Sequence, residues 1–246
     1  MKERPRSGPR IGVLVPYTNT NLEPDMQMLC PRGATMHFER MGGYDVDEIP
    51  GSDQMAGLGA SDISESLFLL SGVRPTAVLY GCTSATLTHG PQFDADLAAR
   101  IKQGSGAVSV TAAGALVAAI KALGAGRIGF ASPYLGEIND QAIAFLSSQG
   151  IDCVKCHDIG RALGNYGQGE LSPDEVFDLA VQADHADAEA IVLSCTDMRS
   201  VEVIGRVETH LGKPVVTSNQ AMIFCLMQAW NLPREDKIPG QLFERL

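Results

Sequence analysis

Two cysteines sit in matching surroundings. Cys82 lies in Tyr80-Gly81-Cys82-Thr83-Ser84 and Cys195 in Leu193-Ser194-Cys195-Thr196-Asp197. Each follows a short apolar run and precedes Thr and a helical pattern. A thiol at a helix start meets free N–H groups and the positive end of the dipole, which favour the thiolate. The same N–H groups can hold a carboxylate. Alone, either cysteine reads equally well as a small buried hydrophobe. As a matched pair they predict chemistry. Two thiols on opposite faces of one carbon can remove a proton from one side and return it on the other. Alternatively, one thiolate adds to a double bond while the second thiol protonates the neighbouring carbon. Rotation and elimination then give the other alkene isomer. Either route needs one thiolate and one thiol at once, so the pair titrates as a coupled unit.

Other polar residues fall at predicted strand ends. Asn19, flanked by Thr18 and Thr20, is placed to bind a carboxylate, with Thr20 reading first as a helix cap through Glu23. Tyr134 could donate its phenol to substrate or to a developing enolate, or simply pack. Asn165 lies in an irregular Gly-Asn-Tyr-Gly loop and reads as a turn residue that could reach the cleft. Residues 217–220 (Thr-Ser-Asn-Gln) would floor the cleft, with Ser218 as helix cap. His89, close behind Cys82, reads more readily as packed than as a base.

There is no phosphate loop, no dinucleotide glycine motif and no metal-protease motif, and the five histidines lack metal spacing. A cofactor-free, metal-free site is therefore expected. Cys153 and Cys156 form a lone CxxC inside a predicted strand at 151–156, which supplies neither a redox helix start nor a full zinc set.

The elements that must position these residues alternate. Segments 11–15, 77–80, 108–110, 127–131, 190–194 and 214–217 read as buried strands, being brief apolar runs bounded by small or turn residues. Helical patterns cover 20–29, 61–70, 93–102, 113–122, 138–148, 173–183, 198–211 and 220–231. Ser172, Pro173 and Glu175 form a capping box. This order predicts an α/β fold of mainly parallel sheets flanked by helices.

The chain also repeats. Arg10-Ile-Gly through Pro16-Tyr17 matches Arg127-Ile-Gly through Pro133-Tyr134. The strand and Cys-Thr of 77–83 match 190–196, and Val110-Thr111 matches Val216-Thr217. Three ordered matches at similar offset predict a duplicated subdomain. The expected units are 1–112 with 218–246, and 113–217. Strand carboxyl ends are where such sheets bind ligands, so pseudo-symmetry would bring the two thiols to one cleft.

Composition sets outer bounds. A net charge of −10 disfavours nucleic acid and anionic membranes. No apolar run is long enough to span a bilayer, and the basic N-terminus lacks a signal core. A cytoplasmic protein with thiols instead of disulfides is expected. An anionic substrate would need local donors to outweigh the overall charge.

The sequence resembles the aspartate/glutamate racemase superfamily, in the branch holding maleate cis-trans isomerases, arylmalonate decarboxylases and ectoine-utilisation racemase-like proteins. The resemblance is carried by Val15-Pro16, Thr18-Asn19-Thr20, Glu23-Pro24, Gly81-Cys82-Thr83-Ser84, Ser132-Pro133-Tyr134, Ser194-Cys195-Thr196 and residues 212–221. It implies two Rossmann-like halves, a cofactor-independent site in the cleft between them, and a homodimer or homotetramer. It implies a small carboxylate or dicarboxylate substrate, with Cys82 as nucleophile and Cys195 as proton donor. Asn19, Tyr134 and Asn165 match carboxylate-holding positions, and Thr83, Ser84 and Thr196 join the substrate-binding set. Arylmalonate decarboxylases have glycine where Cys82 stands, so both cysteines being present favours racemisation or cis-trans isomerisation over decarboxylation. The segment after Cys82 is closer to the ectoine-utilisation branch. A non-catalytic metabolite-binding protein is the alternative from outside enzymes.

Overall fold

A computed structural model describes residues 8–42 and 51–246. Among the described residues, eight strands build two sheets of identical topology. The first comprises β1 (Arg10–Pro16), β2 (Thr35–Met41), β3 (Ala77–Tyr80) and β4 (Val108–Thr111), in the order β2-β1-β3-β4. The second comprises β5 (Arg127–Ser132), β6 (Asp152–Asp158), β7 (Ala190–Leu193) and β8 (Val215–Thr217), in the order β6-β5-β7-β8. All pairings are parallel. The three sequence matches thus fall on equivalent strands, β1 with β5, β3 with β7 and β4 with β8. The inner strands are buried on both faces: Ile11, Val13, Leu14 and Val15 of β1 and all of β3 and β7 are covered. That is the environment that selects short, continuously apolar runs.

The helices are α1 (Leu22–Leu29), α2 (Ser52–Ala60), α3 (Ser64–Ser71), α4 (Thr83–Leu87), α5 (Pro91–Ser105), α6 (Ala112–Leu123), α7 (Gly136–Ser148), α8 (Pro173–Gln182), α9 (Ile204–Leu211) and α10 (Ser218–Ala229). The central helix pair is α6 against α10, which follow the equivalent strands β4 and β8. Both start the same way: Thr111 accepts the N–H of Gly114 at 3.2 Å, and Thr217 accepts that of Gln220 at 3.1 Å. Thr217, not Ser218, is therefore the cap of the last helix. The capping box before α8 forms as expected, the Ser172 N–H donating to Glu175 at 2.9 Å.

Other departures are local. Strand β2 carries His37, Glu39 and Arg40 on a half-buried edge, so it lacks the apolar run that marks the inner strands. Helix α2 holds two glycines and no clean apolar stripe. The helix expected at 198–211 is a turn, then a 3-10 segment (Val201–Val203), with α9 starting only at Ile204. The first helix starts at Leu22 because Asn19 Oδ1 takes the N–H groups of Asn21 (3.1 Å) and Leu22 (2.8 Å). Asn19 thus performs the capping expected of Thr20, and Glu23 pairs with Arg40 instead. Cys153 and Cys156 lie on β6, where the register with β5 shifts by one residue. Burial pushes their thiols up to about 11 and about 12, the reverse of an activated redox pair. Among the described residues, no helix is long and apolar enough to cross a membrane.

Candidate active site

Cys82 follows β3 and Cys195 follows β7, at the carboxyl ends of inner strands. The strand ladder runs one residue past each: Gly81 donates to Leu14 O and Ser194 to Ala131 O, both at 2.9 Å. These equivalent bonds aim both turns the same way. Both cysteines line one cavity of about 30 Å³, together with Asn19, Thr83, Ser84, Tyr134, Asn165 and Thr196. Residues 217–220, expected to floor the cleft, do not line this cavity, and neither do Thr20 or His89. Burial is nearly complete, with Cys82 at 6% and Cys195 at 3% exposure.

The two thiols differ in their immediate partners. The N–H groups of Ala85 and Ser84 and the Ser84 hydroxyl (3.8 Å) face Cys82. At Cys195, the sulfur donates to Gln168 Oε1 at 3.4 Å and accepts the Asp197 N–H at 3.3 Å. Burial nevertheless dominates and raises both thiols above their ordinary value; the Asp197 charge is the next largest cause at Cys195. The expected dipole activation is small, because α4 is only five residues long and no helix starts directly at Cys195. Tyr134 is fully buried against Cys195 and Ser84 and lies in the field of both sulfurs, and burial raises its phenol well above the usual value.

Several candidate side chains are occupied with holding the halves together. Asn19 Nδ2 donates to Thr196 Oγ1 at 3.1 Å, and that hydroxyl donates to Gly81 O at 2.8 Å. The Thr83 hydroxyl donates to Ser218 at 2.9 Å. Thr196 thus ties the Cys195 turn to the first half, and Thr83 ties the Cys82 turn to the start of α10 behind β8. Asn219 Nδ2 spans Asp25 (2.7 Å) and Thr196 O (3.1 Å) beneath the Cys195 turn. His89 bonds Ala56 O and stacks on Phe93 at 4.0 Å, so it is a packing residue and not a base.

Two polar residues without an assigned role in the sequence reading, Asp197 and Gln168, also line the cavity, beside the apolar Met55 and Leu58. Asp197 accepts the N–H groups of Thr20 (2.8 Å) and Asn21 (3.0 Å), and burial pushes its carboxyl up to about 6. It stands in plain view two residues after Cys195. Gln168 carries no such signal, being one polar residue in a glycine-rich loop. Among the described residues lining the cavity there is no Lys, Arg or His. A carboxylate here would be met by backbone N–H groups, hydroxyls and amides.

Comparison with known proteins agrees with this geometry. Over 239 residues the sequence is 28% identical to maleate isomerase from Geobacillus stearothermophilus, covering 91% of this chain and 92% of the relative. It is 30% identical over 141 residues to arylmalonate decarboxylase from Bordetella bronchiseptica, covering 56% and 58% of the two chains. The fold is that of Nocardia farcinica maleate cis-trans isomerase bound to TRIS, with a TM-score of 0.86, 23% identity and coverage of 96% and 97%. A cysteine-to-serine variant of that isomerase holds a covalently bound succinylcysteine intermediate, with a TM-score of 0.85, 22% identity and coverage of 97% and 99%. The arylmalonate decarboxylase family matches residues 11–243, nearly the whole chain, and this protein belongs to that family.

Proposed function

We propose that the chain is a cofactor-independent, two-cysteine cis-trans isomerase of a small unsaturated dicarboxylate, with maleate as the first substrate to try. The observation that carries this reading is that both sulfurs line a single cavity with Tyr134 against them. Curated relatives matched over more than nine-tenths of the chain are maleate isomerases, which supports the same chemistry.

The electron count closes without an oxidant or metal. The Cys82 thiolate forms a bond to one alkene carbon, and the π pair moves toward the carboxylate on the neighbouring carbon. Cys195 gives that carbon its proton. The double bond is now single and rotates. Cys195 takes the proton back, the π bond re-forms, and Cys82 leaves as thiolate. Tyr134, Ser84 and Asn165 supply neutral donors for charge that builds on the carboxylate. The cavity of about 30 Å³ has room for roughly two waters. Binding a four-carbon acid therefore takes a local opening. A neighbouring chamber of about 190 Å³ shares Tyr134 and Gln168 with it, so these side chains form the wall that must shift. The homodimer or homotetramer belongs to the same proposal, supported by the resemblance alone and read by sedimentation.

Decarboxylation through Cys195 is the second reading, favoured by the family match over residues 11–243. One experiment separates the two. Cys195→Ser is incubated with maleate and its peptides are weighed. A succinyl adduct on Cys82 is the expected result. An unmodified Cys82, with carbon dioxide released from an arylmalonate by wild type, selects decarboxylation.

A further inference from the structure

The duplicated turns differ at one telling position. Cys82-Thr83-Ser84 in the first half corresponds to Cys195-Thr196-Asp197 in the second, so a hydroxyl in one turn is replaced by a carboxylate in the other. We propose that Asp197, together with Gln168, holds Cys195 in its protonated form and so gives it the proton-donor half of the two-thiol reaction. Neither side chain touches the reacting carbon in this account; both are positioning residues acting through Cys195. The proposal rests on the isomerase reading for the role, and on the structure alone for the protonation state.

Three observations converge on it. First, the Cys195 sulfur points at an amide oxygen, Gln168 Oε1, at 3.4 Å. An amide oxygen accepts from S–H and repels S⁻. Second, the Asp197 carboxylate cannot swing away: Thr20 and Asn21 N–H groups fix its Oδ1 at 2.8 and 3.0 Å, and Asn21 Nδ2 bonds the Asp197 carbonyl at 3.2 Å. A fixed negative charge beside a thiol opposes a second one. Third, the Cys82 side has the reverse character. The Ser84 hydroxyl donates to Met55 Sδ at 3.0 Å, and the N–H groups of Ser84 and Ala85 face the Cys82 sulfur. Backbone donors face the Cys82 sulfur with no carboxylate in its own turn, whereas Cys195, which also takes the Asp197 N–H and the Tyr134 hydroxyl, has an amide oxygen and a carboxylate beside it.

The titratable groups facing Cys195 are Asp197 on its own turn, Tyr134 at the end of β5 and Cys82 at the end of β3. Of these, Asp197 alone is an acid that ionises near neutral pH, its carboxyl lying at about 6. The same causes raise Cys195: burial first, then Asp197.

The test measures iodoacetamide labelling of each cysteine by peptide mass, against pH, in the full-length protein. In Asp197→Asn the Cys195 rate at pH 8 should rise about tenfold, the equivalent of one pKa unit, while Cys82 changes less than about twofold. In Gln168→Glu, at a partly exposed position, the Cys195 rate should fall about tenfold. Opposite signs from two variants are not produced by loosening the fold. If Cys195 is unchanged or moves the other way in either folded variant, or if Cys82 moves by an equal factor, the assignment is overturned. Gln168→Glu alone decides if Asp197→Asn does not fold. Wild-type turnover of maleate is followed in parallel. Predicted labelling shifts without turnover leave the protonation assignment standing and remove the isomerase reading.

Discussion

A thiolate buried without a cation is costly, and no cation lines this cavity among the described residues. On the proposed reading the Cys82 sulfur ionises with help from neutral dipoles, the Ser84 and Ala85 N–H groups. Tyr134 is the donor beside Cys195, and its phenol also lies in the field of Cys82. Tyr134→Phe keeps the ring that packs in the core and removes the donor. Its kcat should fall by roughly 10² with an unchanged melting curve; an undiminished kcat would make Tyr134 a packing residue only. At this scale the sequence was generous. The duplicated setting marked both thiols, and residue type marked Asn19, Tyr134 and Asn165, but neither marked Asp197 or Gln168. It was silent on occupancy. Asn19, Thr83 and Thr196 carry the right polar groups, yet those groups are engaged with one another, with Gly81 and with Ser218. Hydrogen-bond partners more than a hundred residues away cannot be read from local composition.

The elements bring the sulfurs together through tight packing at the strand ends. A Cβ on Gly81 would stand 2.2 Å from Leu22 Cδ2 and 2.8 Å from the Leu14 carbonyl. Gly81→Ala should therefore destabilise by about 1–3 kcal/mol and lower activity through the displaced Cys82 turn; an unshifted denaturation midpoint would refute the close approach. Beneath the other turn, Asp25 on α1 is buried, and burial pushes its carboxyl from 3.8 up to about 7 despite the bond from Asn219. The native state then holds a proton that the unfolded chain releases. Stability is full below pH 3.8 and declines as pH rises to about 7, by up to about 4 kcal/mol. Asp197, pushed up to about 6, adds a slope of the same sign. Asp25→Asn should flatten most of this loss in urea denaturation between pH 4.5 and 7.5; a wild-type slope retained by the variant would place the buried proton elsewhere. Inner strands and the capped helix α8 were legible because their burial and caps are local. Edge strand β2, glycine-containing α2 and the turn at 197–200 were not, since tertiary contacts, not propensity, define them.

As a whole, the molecule is two copies of one four-stranded plan joined at their functional turns. The bonds Thr83–Ser218 and Asn19–Thr196–Gly81 put three cavity-lining side chains, Asn19, Thr83 and Thr196, in the joint. Thr196→Val would leave the Asn19 amide and the Gly81 carbonyl buried without their partner, costing about 1–3 kcal/mol. Urea denaturation reads it, and a loss near zero would show that the halves are held elsewhere. Repetition in the sequence made this architecture visible, because identical strand motifs in identical order leave few topologies. It did not reveal where the copies diverge in role, since Ser84 and Asp197 acquire meaning only beside their sulfurs. The central claim is that one bound acid is worked on by both thiols. The most direct measurement follows maleate by NMR in deuterated water with wild type, Cys82→Ala and Cys195→Ala. The account predicts conversion of maleate to the trans isomer by wild type, and a loss of roughly 10³-fold or more in each variant with the fold intact. A variant of either cysteine that turns over at near wild-type rate contradicts it.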